Sequence, residues 1–160
     1  MSPRSTQRPH DHDLCVANAV AAAEARTEET AAKLTPMRRR VLELICASHA
    51  PVGAYHLMEK LAGGANRRVA PPTVYRALDF LMEHGLIHRI NSLNAYVACF
   101  GPHRPHDACL LICEQCKTVE EIEADGLRRA IHRKGADAGF EVRSQTIEVT
   151  GLCRSCRNAA

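Results

Sequence analysis

The sequence predicts an α+β fold in two parts, on three observations. Apolar residues recur at helical spacing through the first half, short β-rich runs take over afterwards, and two Cys-x-x-Cys pairs, CEQC at 113–116 and CRSC at 153–156, fall in the second half. A chain of 160 residues holds one ordinary domain or two small ones, each with a modest core. The composition shifts predict a polar, proline-containing tail over 1–13, a helix-rich domain over 14–97, a hinge over 98–106 and a second domain over 107–160.

Taken in order, LCVANAVAAAEARTEETAAKL is rich in alanine and glutamate and should be helical. Thr35 then offers a capping hydroxyl and Pro36 suits the first helical position. Met37, Val41, Leu44 and Ile45 share one face and predict a helix over 36–48. Pro51 and Gly53 break that pattern, and Ala54, Leu57, Met58 and Leu61 resume it in a short second helix. After the arginine-bearing loop GGANRRVAP, Pro71 and Pro72 open a third helix that runs to Gly85. It turns Val74, Leu78, Leu81 and Met82 inward and Thr73, Tyr75, Arg76 and Asp79 outward. The runs LIHRI and AYVAC, separated by NSLN, read as a hairpin. Helices followed by a hairpin make a winged helix-turn-helix, whose last helix enters the DNA major groove.

In the second half CLLIC and TVEEIEA read as two strands, with CEQC in the turn between them. A helix follows over 125–138, with Leu127, Ala130 and Ile131 on its apolar face, and EVRSQTIEVTGLC supplies a third strand. Its alternation slips at Ser144 and Gln145, which reads as a bulge. The order strand, strand, helix, strand is a small α/β unit.

The net charge is only +3, but residues 35–91 carry eight Lys/Arg against four Asp/Glu, and residues 103–150 carry seven against nine. A basic first half joined to an acidic second half suits a polyanion partner for the first. Arg76 has the reach for guanine edges or phosphates, and Thr73 and Tyr75 for the DNA backbone or thymine methyls. A polar helix face is ordinarily just solvated; here the hairpin, the arginine-rich loop and the charge asymmetry favour DNA. No run reaches the roughly 18 apolar residues of a membrane span, and no export signal is evident. The expectation is a soluble cytoplasmic protein with reduced thiols.

A lone Cys-x-x-Cys is a redox centre, half a metal site or coincidence. Two such pairs at strand ends, Cys113 with Cys116 and Cys153 with Cys156, together offer four thiolates to one tetrahedral zinc ion. A thioredoxin-type site would open a helix and needs one pair, and the zinc deaminase signature lacks its His-x-Glu partner here. Of the other cysteines, Cys99 has the richest company: His88 on the preceding strand, His103 and His106 in the hinge, Glu120 and Glu121 beyond the first pair. These would make a second metal site joining both halves; each also has a plainer reading as a surface or buried group. Cys15, Cys46 and Cys109 read as small apolar residues.

The segments LTPMRRRVLELI, APPTVYRALDFLMEHGLIHRI and NAYVACF, together with CEQC and CRSC, closely resemble the ferric uptake regulator superfamily in its zinc uptake regulator branch. The resemblance covers about residues 15–156 and implies a bacterial metal-dependent transcriptional regulator, a homodimer through its C-terminal dimerisation domain. Such a dimer binds palindromic double-stranded operator DNA when metal-loaded and represses zinc-uptake genes. It implies two Zn2+ per chain: a structural ion on Cys113, Cys116, Cys153 and Cys156, and a regulatory ion on His88, Cys99, His106 and Glu121. His103 competes with His106 for that role. DNA-contacting positions match Tyr55, Tyr75 and Arg76. One thiolate, two imidazoles and one carboxylate suit zinc; sensing of iron or manganese, or a thiol redox module, are the alternatives. No membrane partner, small-molecule substrate or enzymatic activity is expected, since four protein ligands leave zinc no open position.

Overall fold

The computed structural model describes residues 12–30, 32–48, 50–63, 69–99 and 108–159. Most of the expected tail, most of the GGANRRVAP loop and most of the expected hinge, with His103 and His106, lie outside these residues. The chain divides into two compact units, Met1–Cys99 and Phe100–Ala160.

The N-terminal unit runs α1 (His12–Glu29), α2 (Pro36–Cys46), β1 (Val52–Gly53), α3 (Ala54–Ala62), α4 (Pro71–Glu83), β2 (Ile87–Ile90) and β3 (Ala95–Ala98). Thr35 caps α2 by accepting from the Arg38 N–H at 3.4 Å, with Pro36 beginning the helix. The core draws on every helix, with Ala23, Val41, Ile45, Leu57, Leu78 and Leu81 all buried. On α2 the buried stripe is turned slightly from expectation: Leu42 is buried while Met37 and Leu44 are half-buried. On α4 Met82 is half-buried, and Ala77 and Phe80 join Val74, Leu78 and Leu81 inside.

Helix α1 stops at Glu29 instead of running on towards Leu34. The Thr27 hydroxyl donates to the carbonyls of Ala23 and Glu24, and Thr30 to those of Arg26 and Thr27. The Ala32 N–H then turns back to the Thr27 carbonyl at 2.8 Å, closing the helix. Helix α4 ends on Gly85, whose φ of 63° is the left-handed conformation that glycine adopts freely.

The hairpin is the expected one, β2 antiparallel to β3 with His88 opposite Val97 and Arg89 opposite Tyr96. A third strand joins it: β1 pairs with β3 through Val52 and Tyr96, giving the order β1-β3-β2.

The C-terminal unit runs β4 (Ala108–Cys113), β5 (Val119–Ile122), α5 (Asp125–Asp137), β6 (Thr146–Gly151) and α6 (Arg154–Asn158). Its sheet has the order β5-β4-β6, with β4 antiparallel to β5 and parallel to β6. A parallel neighbour requires a crossover, which α5 supplies. The third strand begins only at Thr146, so Ser144 and Gln145 precede it and form no bulge within it. Helix α6, absent from the sequence reading, starts directly after Cys153. Helix α5 buries no residue, and Leu127 on its apolar face stays exposed. No helix among the described residues is long and apolar enough to cross a membrane.

Candidate metal centres and reading helix

Parallel pairing of β4 with β6 brings their C-terminal ends side by side, with Cys113 opposite Gly151. The first pair sits in a tight turn: the Cys113 N–H donates to the Thr118 carbonyl at 2.9 Å and the Lys117 N–H to the Cys113 carbonyl at 2.9 Å. Lys117 holds a φ of 61° to close that turn. The Glu114 N–H reaches across to the Gly151 carbonyl at 2.8 Å, tying the first turn to the second. Cys153 is the N-cap of α6 and Cys156 lies within the helix. The four sulfurs therefore converge, all within 4.8 Å of one another.

The geometry suits a shared ion. Cys116 Sγ and Cys153 Sγ are 3.7 Å apart, far beyond a disulfide bond. With Zn–S bonds of about 2.3 Å, the edge of a tetrahedron is about 3.8 Å. Electrostatics agree. The Cys113 thiol is drawn down to about 6, first by the backbone N–H of Cys116 and next by that of Cys153. The Cys153 N–H lies 3.4 Å from the Cys113 sulfur. The Cys116 thiol is also lowered, chiefly by the Thr118 hydroxyl, whose oxygen lies 3.2 Å from its sulfur. Cys156 moves the other way, to about 12, because partial burial and then the neighbouring sulfurs oppose a further negative charge. All four become thiolates together only with a cation among them, so the donor set fits a thiophilic divalent metal such as zinc.

Within the N-terminal unit, His88 on β2 is buried, only 6% exposed. Cys99 follows β3, and its N–H donates to the Leu86 carbonyl at 3.0 Å. With Val97 opposite His88, Cys99 lies two residues further along on the same face. A ring nitrogen of His88 and the sulfur of Cys99 come within 4.8 Å. A buried imidazole beside a thiol is half of a borderline-soft ligand set. In the C-terminal unit Glu121 lies on β5 opposite Leu110 and is half-buried, while Glu120 is exposed.

The expected DNA-facing residues sit on helical surfaces of the N-terminal unit. Thr73, Tyr75 and Arg76 are all exposed on α4, and Tyr55 in the first turn of α3 is 77% exposed. The Arg-rich start of α2 serves a different purpose. Arg39 pairs with Glu24 and Arg40 with Glu43, while Arg38 stacks over Phe80 and donates to the Lys33 carbonyl. Cys46 and Cys109 are buried, as small apolar residues are; Cys15 lies on α1, with its side chain outside the described residues. Sequence reasoning missed Thr118 and Lys117 as builders of the thiol turn. A threonine two positions past CEQC carries a weak signal, and a lysine in left-handed conformation carries none.

Comparison with known proteins covers both units. The zinc uptake regulation protein of Escherichia coli (strain K12) is 41% identical over 125 residues, 78% of this chain and 72% of that protein. A solved zinc uptake regulator complexed with zinc and DNA matches with a TM-score of 0.84 at 36% identity, over 90% of this chain and 96% of the other. The holo form of XcZur matches with a TM-score of 0.82 at 40% identity, over 89% and 99%. The model of the ferric uptake regulator family aligns with residues 29–150, taking in the capped helix α2, helix α4, the β2–β3 hairpin and the first thiol pair, and the chain belongs to that family.

Proposed function

We propose that the chain is a zinc-responsive transcriptional regulator whose zinc-loaded homodimer binds palindromic operator DNA and represses zinc-uptake genes. The observation that carries this reading is the likeness, at 36% identity and over 90% of the chain, to a zinc uptake regulator complexed with zinc and DNA. The exposed Thr73, Tyr75 and Arg76 of α4, with Tyr55 on α3, supply the contacts to bases and phosphates. The apolar side chains left exposed on the C-terminal unit, among them Leu111, Ile122, Val149 and Leu152, supply the surface for a second copy.

Two ions per chain complete the proposal. Cys113, Cys116, Cys153 and Cys156 hold a structural zinc, and their four sulfurs leave no position for substrate or water. His88 and Cys99 are donors of a regulatory site to which Glu121 and His106 contribute from beyond residue 99. Zinc bound there supplies coordination bonds that restrict the hinge over 98–106. A dimer otherwise samples many separations of its winged helices, most of which miss successive major grooves about 34 Å apart. Donors on both sides of the hinge bias that ensemble before DNA arrives, and linkage requires DNA to tighten zinc binding by the same factor.

The test is an operator-binding titration at buffered free zinc, repeated with iron(II) and manganese(II), on duplexes selected from a random library by the full chain. Zinc should promote binding at the lowest free concentration of the three. Binding indifferent to zinc, or driven first by iron or manganese, overturns the assignment.

A further inference from the structure

Four arginines of the N-terminal unit are already engaged within it. Arg39 and Arg40 pair with carboxylates, Arg38 lies 3.5 Å above the Phe80 ring, and Arg26 donates to the Gly85 carbonyl at 3.1 Å. Arg89 is different. It is exposed on β2, next in sequence to buried His88, so strand alternation turns it to the opposite face. Its guanidinium donates to Asn94 Oδ1 at 3.4 Å, a neutral acceptor at the far end of the Asn91–Asn94 turn. No carboxylate among the described residues pairs with it. One long, neutral hydrogen bond orients a guanidinium without offsetting its charge.

Its position is equally informative. Arg89 lies directly across the strand pair from Tyr96. The buried Tyr96 phenol is pushed above its usual range by burial first, and it also senses Arg89, then Tyr75 and Asp79. The wing arginine and the outward residues of α4 thus neighbour one phenol.

We infer that Arg89 is a further DNA-contacting residue, a wing arginine held by Asn94 to meet a backbone phosphate of the same duplex that α4 reads. The inference rests on the regulator reading. A phosphate contact stabilises binding irrespective of base sequence and acts through counterion release, so it has a signature that base contacts lack.

The experiment measures Kd against KCl concentration for the full zinc-loaded chain, on the duplex selected above and on a scrambled duplex of equal length. Wild type, Arg89→Ala, Arg89→Gln and Arg89→Lys are compared, each checked for wild-type thermal unfolding. Loss of the contact should reduce the slope of log K against log salt by about 0.9 per chain and weaken binding roughly fivefold per chain at 0.15 M salt. Arg89→Ala and Arg89→Gln should do so equally on both duplexes, and Arg89→Lys should recover most of the slope. An unchanged slope in the folded Arg89→Ala and Arg89→Gln variants overturns the inference. So does a loss confined to the selected duplex, which would mark a base contact. Failure of wild type to bind the selected duplex overturns the regulator reading instead.

Discussion

The two units solve the problem of stability differently. The N-terminal unit encloses its own core, with Val41, Ile45, Leu57, Val74, Leu78 and Leu81 all fully buried. The C-terminal unit buries the inner strand β4 through Cys109, Leu110 and Ile112, yet leaves Leu127, Val149 and Leu152 about half exposed and Phe140 at 68%. A sheet of three strands with a helix that buries nothing has too little apolar interior to stand alone. What it has instead is a point where four sulfurs converge and an uncovered face. One unit is held by packing, the other, on our reading, by ligation and association.

The largest expected effect comes from removing the metal. Strong chelation, or Cys153→Ser, should destabilise the C-terminal unit more than any other single change and open it to exchange, structural zinc being worth up to the order of 10 kcal/mol in small domains. Hydrogen exchange should then show protection lost in β4–β6 and kept in α2 and α4; equal loss in both would erase the contrast. Next is Leu78→Ala, which should cost about 2–5 kcal/mol in urea unfolding of the N-terminal unit and leave zinc content unchanged. Cys99→Ser should remove zinc-dependent DNA binding, a coupling of about 1–3 kcal/mol, while leaving a folded protein with roughly one zinc per chain. If that variant still responds to zinc, Cys99 is no sensor ligand. Smaller again, Val149→Glu should shift sedimentation towards monomer with little change in the fold of the N-terminal unit, and an unshifted dimer would put the interface elsewhere.

The smallest effect is in protons. At pH 7 the Cys113 thiol, near 6, is already mostly ionised in the metal-free fold, while Cys156, near 12, keeps its proton. Zinc uptake by the thiol site should therefore release fewer than four protons at pH 7. The number should rise as pH falls to about 5, where Cys113 regains its proton. An indicator-dye titration reads this directly; a release independent of pH would remove Cys113 from its special place in the cluster.

Much of this was legible beforehand because it is written in local chemistry. Thr35 and Pro36 mark the start of α2, the double proline marks α4, and alternation marks β2 and β3. The four thiols were visible from spacing alone, because cysteine pairs at two strand ends have few other uses. What escaped was set by distant partners. Strand β1 is two residues long and exists only because Tyr96 and Ala95 pair with it. The residues Glu141–Gln145 look like a strand in sequence, but β4 offers pairing only from Thr146 onward. Helix α6 is too short for periodicity and starts after Cys153, an N-cap residue whose side chain makes no capping hydrogen bond. The basic excess over residues 35–91 was countable in sequence, but not that Glu24, Glu43 and Phe80 engage Arg39, Arg40 and Arg38.

The parallel pairing of β4 with β6 also imposes an order in time. The β4–β5 hairpin closes through a short turn, whereas β6 reaches β4 only after the intervening helix and its flanking segments have been gathered in. Early in folding, then, Cys113 and Cys116 already share a turn while Cys153 and Cys156 belong to unattached chain. The second pair therefore reaches the first only by closing a much longer loop, and a site of all four thiols exists only once β6 has docked on β4.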